Sequence, residues 1–164
     1  MKRIVGVLMG LLLLLFSPNS FAEEFVEFRF VCGSDGIDCE EVFNKENNEN
    51  LLIERDAVLS LSDIAKAEVV EQKIPQYFVN TLEKQGPIQY FINIKFTSEG
   101  AKKLRAITEE NLKRRLAIFI GGKFIMAPQI YEPIMGGQVQ VSRQFNREKI
   151  AEMVEQINSK IANE

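Results

Sequence analysis

Residues 88–111 of this 164-residue chain, IQYFINIKFTSEGAKKLRAITEEN, decide the fold. Apolar side chains occupy every second position of 88–96, which predicts a strand with one buried face. Thr97 or Ser98 can cap a following helix, and Glu99 lies in its first turn, where the helix dipole favours negative charge. Beyond Glu99 the apolar residues recur every three or four positions, which is typical of a helix with one buried side.

Similar elements flank this strand and helix on both sides. Residues 25–31 alternate between apolar and charged side chains, which predicts a second strand. A further strand at 116–120 is followed by Gly121-Gly122, the signal for a tight hairpin turn. The spacing of apolar residues between about Arg147 and Ala162 predicts a closing helix. The order of elements indicates an α+β fold, a mostly antiparallel sheet with two main helices packed on one face.

The remaining segments give weaker signals. The stretch between Cys32 and Cys39 predicts a turn, and 44–50, rich in Asn and Glu, predicts an exposed loop. Short strands are expected at 51–53, 67–72 and 138–142. No long linker and no internal repeat interrupts the chain, so a single domain is expected.

The N-terminus has the three parts of a secretory signal peptide. Lys2 and Arg3 precede an apolar run at 4–16, which is shorter than the roughly 20 residues of a membrane-spanning helix. Small residues at Ser20 and Ala22 predict cleavage after Ala22, and the alternative is an uncleaved anchor. We therefore expect an exported, periplasmic domain at 23–164, without stable membrane insertion after cleavage.

Composition argues against several classes of function. The chain has 20 basic and 23 acidic residues, and two of the basic ones lie in the first 22 positions. The segment after Ala22 therefore has 18 basic against 23 acidic residues, a net charge of −5, which does not suit nucleic-acid binding. Histidine is absent, so Ser-His-Asp or Cys-His catalysis and imidazole metal sites are excluded. We expect no cofactor and no bound metal.

The two cysteines, Cys32 and Cys39, leave three alternatives open. An even pair in an oxidising compartment predicts a structural disulfide. A catalytic redox pair is disfavoured, because thiol oxidoreductases separate their cysteines by two residues and here six intervene. Two free thiols are the third alternative.

A series of short motifs between Ile94 and Ile157 resembles a known family. The motifs are EGA at 99–101, ITEEN at 107–111, LAIFIGGK at 116–123, APQI at 127–130 and EPIMGG at 132–137. In this order and spacing they resemble the head subdomain in the first periplasmic domain of SecD, a membrane protein that assists Sec-dependent export. The sequence departs from the family at Arg143, where a glycine is usual. It also ends at Glu164, where SecD continues into membrane helices, so the resemblance implies the fold and a stand-alone binding module but no proton-driven activity.

The proline- and glycine-rich segment after the hairpin has two interpretations. Its prolines and glycines can simply specify the backbone. Alternatively it forms an exposed lip whose apolar side chains contact a partner. The predicted lip comprises Met126, Pro128, Ile130, Tyr131, Pro133, Met135, Gly136 and Gly137.

The function expected from these observations is a non-catalytic periplasmic module that contacts unfolded polypeptide or an envelope protein, with a link to protein export. One alternative is a small inhibitor or immunity-type envelope protein. Another is a hydrolase with two carboxylates, which needs acidic side chains that face each other across a cleft. Glu109 and Glu110 do not meet this need, because adjacent residues of a helix do not face each other. The sequence gives no indication of oligomeric state.

Overall fold

The computed structural model describes residues 24–33, 38–45, 47–73, 88–141 and 145–163. The predicted signal peptide and its cleavage site lie outside this range, as does Arg143. Within the described ranges, no helix combines the length and the apolar character required to cross a bilayer. The elements are β1 Val26–Phe30, β2 Cys39–Asn44, β3 Glu49–Glu54, β4 Leu59–Ser60, a short 3-10 helix Leu61–Asp63, β5 Ile64–Lys73, β6 Ile88–Phe96, α1 Ser98–Glu110, β7 Leu116–Ile120, β8 Lys123–Met126, β9 Gln138–Val141 and α2 Arg147–Ile161.

The strands form three sheets in which all pairings are antiparallel. A four-stranded sheet has the order β4-β1-β7-β8, a three-stranded sheet has the order β5-β6-β9, and β2 and β3 form a separate hairpin. Both helices contribute buried residues to the apolar core that they share with the two larger sheets. The α+β class with two main helices is confirmed, while the strands are divided among three sheets rather than joined in one.

The strand and helix predicted from 88–111 are both present. Strand β6 spans Ile88–Phe96, and Thr97 caps α1 by accepting a hydrogen bond on Oγ1 from the N–H of Gly100 at 3.0 Å. The Gly-Gly turn is also confirmed, since Gly121 and Gly122 have φ values of +57° and +67° between β7 and β8. These φ values suit glycine, which has no Cβ to clash.

The hairpin β2–β3 was only half predicted. Strand β3 was expected at 51–53, but β2 was not expected, because Cys39–Asn44 holds only two large apolar residues among acidic ones. Cys39 pairs with Glu54 and Asn44 with Glu49, so the loop expected at 44–50 is a short turn flanked by paired strands.

Strand β7 is buried along its whole length because both faces of its sheet are covered. On one face Leu116, Ile118 and Ile120 join the large core with the helices. On the other face a smaller core surrounds Ala117 and Phe119, which pack with Leu51 and Ile53 of the hairpin. The hairpin therefore closes the face of the sheet that the helices leave open.

Candidate functional site

The lip runs alongside α1 in the opposite direction to the helix. At one end, just after the helix, the N–H of Lys113 donates to the carbonyl of Ile130 at 2.7 Å. In the middle, the N–H of Ile134 donates to Oγ1 of Thr108 at 3.0 Å. At the other end, the N–H of Phe96 donates to the carbonyl of Gly137 at 3.0 Å. Thr108 within α1, together with the residues just before and just after the helix, therefore holds the backbone of the lip at three points.

Thr108 is the buried polar residue that anchors the lip to α1. Its side chain is fully buried, and its hydroxyl donates to the carbonyl of Leu104 at 2.8 Å while accepting from the N–H of Ile134. Both bonding capacities of the hydroxyl are used, which removes the cost of burying it. In the sequence, Thr108 stands out only as part of the ITEEN motif. Its position on the apolar side of α1, four residues after Leu104, was the available signal.

Two glycines of the motifs permit close approaches of the backbone. A Cβ at Gly100 would lie 2.2 Å from the carbonyl oxygen of Asp63, so the start of α1 can reach the 3-10 helix only with glycine there. Gly137 has a φ of +61°, and a Cβ there would lie 2.9 Å from Cβ of Ala101. A Cβ at Gly136, in contrast, would meet its nearest atom, Cγ of Gln138, at 4.0 Å, which is an ordinary contact. The EGA motif and the second glycine of EPIMGG thus have structural roles.

The predicted lip residues do not form one exposed set. Ile130 is 6% exposed and belongs to the large core, and Met126 is partly buried against it. Tyr131 and Met135 are 79% and 63% exposed. Of the others, Pro128 and Gly136 are exposed, while Pro133 and Gly137 are half-buried.

Leu112, which the prediction of the lip did not include, is 45% exposed in the turn after α1. Its neighbour Lys113 bonds to Ile130, next to Tyr131, so Leu112 lies at the same end of the lip. We call Leu112, Tyr131 and Met135 the lip surface.

Arginines connect the end of α1 to the hairpin. Arg114 donates to Asn111 Oδ1 at 3.0 Å, forms an ion pair with Glu54, and lies 4.2 Å from the ring centroid of Phe30. Arg115 donates from Nε to the carbonyl of Ala127 at 3.0 Å. These contacts fix the start of β7 between the lip and the hairpin.

Further ion pairs link the hairpin to the four-stranded sheet. Arg29 of β1 pairs with Glu27 on its own strand and with Glu40 of β2 at 2.6 Å. Arg115 pairs with Glu49 of β3 at 3.3 Å. These arginines were not predicted as contacts, because charged residues on a strand are usually solvated.

Cys32 and Cys39 form a disulfide with a Cα–Cα distance of 6.6 Å, which confirms the structural alternative. The bond joins the chain just after β1 to the first residue of β2. It therefore tethers the hairpin to the sheet that the hairpin covers.

Carboxyl groups with displaced pKa values are held in the ionised form. Hydrogen bonds from Lys66 and Lys95 lower the pKa of Glu68 from 4.5 to about 2. A hydrogen bond from Asn47 lowers the pKa of Glu49, and one from Lys149 lowers the pKa of Glu152. A general acid needs the opposite displacement, because it must hold its proton near neutral pH. In the described ranges, no group of three or more His, Cys, Asp or Glu residues is placed to hold a metal ion.

A shallow concavity lies beside Phe25 on the exposed side of α2. Its acidic lining residues, Glu152 and Glu155, come from one helix, three residues apart. They lie side by side on the helix rather than across a cleft, which is not the arrangement of paired carboxylates in a glycosidase.

Comparison with known proteins gives a consistent result along most of the chain. Residues 40–160 match the family model "SecDF, P1 head subdomain". A protein translocase subunit SecD of Calditerrivibrio nitroreducens is 31% identical over 102 residues, which cover 62% of this chain and 17% of that protein. SecD of Magnetococcus marinus is 41% identical over 58 residues, which cover 35% of this chain and 11% of that protein. The chain thus spans less than a fifth of the length of these relatives.

Solved structures show the same fold. SecDF in its super-membrane-facing form has a TM-score of 0.60 and 25% identity, over 82% of this chain and 18% of that one. A second structure, of a membrane component SecDF that enhances protein export, has a TM-score of 0.58 and 24% identity, over 82% of this chain and 61% of that one. Because the family model matches residues 40–160, well over half of the chain, this chain belongs to the SecDF P1 head subdomain family.

Proposed function

We propose that this protein is a non-catalytic accessory module of the cell envelope that contacts polypeptide or an envelope protein during protein export. The observation that carries the proposal is the match of residues 40–160 to the SecDF P1 head subdomain. One solved relative is described as enhancing protein export. The N-terminal pattern of charge and apolar residues supports a periplasmic location for residues 23–164.

The lip surface supports contact with a polypeptide. Tyr131 combines an apolar ring with a hydroxyl, and Met135 has a flexible apolar side chain that adapts to different partners. Both are exposed while the backbone beneath them is fixed by α1. Because the backbone is already fixed, binding does not have to order it, and this lowers the entropic cost of the contact.

Site-specific photo-crosslinking in intact cells tests the proposal. A photoreactive phenylalanine replaces Tyr131 in one variant and the exposed Ala151 of α2 in a control. We expect the Tyr131 variant to crosslink to translocon components or to exported chains in transit, and the Ala151 control to crosslink to neither. Recovery of one unrelated stoichiometric protein, without export machinery, would instead support an inhibitor or immunity-type function.

Two further measurements test the location and the absence of catalysis. N-terminal sequencing of the protein from the envelope fraction is expected to begin at Glu23. Replacement of Glu152 by Gln is expected to leave any envelope phenotype unchanged, since the lowered pKa of this carboxyl does not suit acid catalysis. An uncleaved N-terminus, or loss of function in Glu152→Gln, would contradict the respective part of the proposal.

A further inference from the structure

Among the described residues, β5 is the outer strand of its three-stranded sheet and is a long strand. It spans Ile64–Lys73, ten residues, and pairs with β6, which in turn pairs with β9 on its other side. An edge strand presents unpaired N–H and C=O groups to its surroundings. Proteins usually cover or interrupt such an edge, because another extended chain can pair with it.

Asn158 of α2 closes this edge at one position and shows how the edge is oriented. The N–H of Ala67 donates to Oδ1 of Asn158 at 2.8 Å, and Nδ2 of Asn158 donates to the carbonyl of Ala67 at 2.9 Å. The side-chain amide thus makes the two hydrogen bonds that the backbone of a neighbouring strand would make. The backbone groups of Ala67 therefore point away from β6.

The next positions on the same edge have no backbone partner among the residues that the structure describes. Strand side chains and backbone groups alternate with a period of two, and the register with β6 is regular from Lys66 onward. Val69 and Glu71 therefore direct their N–H and C=O groups to the same side as Ala67. Across the described segments of the chain, neither has a backbone partner on that side. Val69 is 37% exposed, and Glu71 is exposed as well.

We infer that the edge of β5 at Val69 and Glu71 binds an extended polypeptide segment by strand addition, an inference that rests on the proposed function. Unpaired backbone donors and acceptors at strand spacing are complementary to the backbone of another extended chain. Recognition through the backbone does not depend on sequence, which suits a protein that meets exported chains of many sequences. Val69 and the half-buried Val70 point to opposite faces, so an added strand with small apolar residues gains contacts on both.

A pair of synthetic peptides tests the mode of binding. The first is a short fluorescent peptide of alternating threonine and valine with lysine at both ends. The second has the same sequence with N-methyl groups on two adjacent central residues, so that each of its edges loses one central N–H donor. Binding of each peptide to this protein, purified whole after export, is measured by fluorescence anisotropy. We expect the first peptide to bind at least about tenfold more tightly than the second, the effect of losing about one buried backbone hydrogen bond.

Substitutions on the protein side give a matched comparison. Val69→Pro removes the N–H that faces the added strand, and proline is tolerated on an edge strand where the N–H does not pair with the neighbour. Val69→Thr keeps that N–H and a β-branched side chain. We expect Val69→Pro to weaken binding of the first peptide about tenfold and Val69→Thr to leave it within about twofold. If circular dichroism shows that Val69→Pro does not fold, Glu71→Pro, nearer the strand end, takes its place.

Amide hydrogen exchange of the unaltered protein gives a direct readout. The amides of Val69 and Glu71 are expected to exchange rapidly in the free protein and slowly with the first peptide bound. Slow exchange of these amides already in the free protein would overturn the inference, because another part of this chain would then occupy the edge. A dimer whose formation Val69→Pro abolishes would also overturn it, because a second copy would then occupy the edge. If the peptide binds but neither N-methylation nor Val69→Pro weakens the binding, the inference of strand addition is overturned. The proposed function stays intact in that case. Absence of any binding, together with no crosslinks from the lip surface, would contradict both.

Discussion

The two faces of the four-stranded sheet are closed in different ways. On the helix side, aliphatic residues of β7 pack with both helices in a core that also contains Phe28 and Leu104, both fully buried. On the hairpin side, the core is small, and ion pairs of Arg29, Arg114 and Arg115 together with the disulfide complete the contact. One face is thus held by shape and burial, and the other by charge and a covalent bond.

This difference predicts two levels of stability in one domain. Burial of large apolar side chains contributes most of the free energy of folding, so the helix side is expected to unfold only globally. Partly exposed ion pairs contribute little each, so the hairpin is expected to open in a separate, less costly step. The following predictions, from the largest effect to the smallest, test this distinction.

The largest effect is expected from Phe28→Ala on the helix side. The side chain is fully buried, and its removal leaves a cavity, so the free energy of unfolding should fall by about 3–5 kcal/mol. Phe43→Ala on the hairpin is the matched control, since Phe43 is 51% exposed and its loss should change the same quantity by less than about 0.5 kcal/mol. Urea denaturation measures both. Equal losses for the two variants would remove the distinction between the faces.

A smaller but still large effect is expected from Gly100→Ala. The added methyl group would lie 2.2 Å from the carbonyl oxygen of Asp63, so α1 and the 3-10 helix must separate. We expect a loss of about 2 kcal/mol in urea denaturation, within the usual range for overpacking. Gly136→Ala, where the nearest atom is 4.0 Å away, serves as the control and should be nearly neutral. A neutral Gly100→Ala would mean that the helix start is not held closely.

Removal of the disulfide should affect the hairpin first. The double substitution Cys32→Ser and Cys39→Ser should cost about 2 kcal/mol, because it frees a short loop in the unfolded chain. Amide exchange should become faster at hairpin residues such as Leu51, while β7 residues such as Ile118 are expected to change only with global stability. An equal increase in amide exchange in the hairpin and in β7 would show that the hairpin does not open separately.

The smallest effect on the hairpin is expected when the pH is lowered. A hydrogen bond from Asn47, with further contributions from Asn44 and Arg115, lowers the pKa of Glu49 below its ordinary value of 4.5. A carboxyl with a lowered pKa stabilises the folded state above its ordinary pKa, and this stabilisation is lost as pH falls from 4.5 through the lowered value. Hairpin amides should therefore exchange faster below pH 4.5 relative to β7 amides, and Glu49→Gln should weaken this dependence. If hairpin exchange in Glu49→Gln depends on pH as it does in the unaltered protein, the carboxyl of Glu49 does not stabilise the hairpin.

The sequence was informative where local patterns determine structure. The alternation in β6, the helix cap and the Gly121-Gly122 turn depend on neighbouring residues alone. The strand and the turn were predicted at their observed positions, and the cap was predicted at Thr97 or Ser98 and lies at Thr97. Strand β2 was missed because its stability comes from its pairing with β3 and from Arg29, which is distant in sequence. Its own residues are mostly polar, so no alternation was visible.

The candidate sites depended more on tertiary contacts. An isoleucine between glutamine and tyrosine in an irregular segment has no period from which its direction follows, so Ile130 was assigned to an exposed lip although it lies in the core. Asn158 occupies a helix position where asparagine is usually solvated. Only its two hydrogen bonds to Ala67, ninety-one positions away, reveal that it covers a strand edge.

The pairing of β1 with β7 has a consequence for the order in which the chain acquires its structure. Val26 pairs with Ile120, and β4 covers only two residues on the other side of β1. A polypeptide that emerges from a ribosome or a membrane channel with its N-terminus first exposes β1 long before β7 is available, and such distant pairing slows folding. During this interval the Phe28 and Phe30 side chains remain open to chaperones. The pairing of β1 with β7 therefore waits for nearly three quarters of the sequence to arrive, which favours a late, concerted collapse over stepwise assembly from the N-terminus.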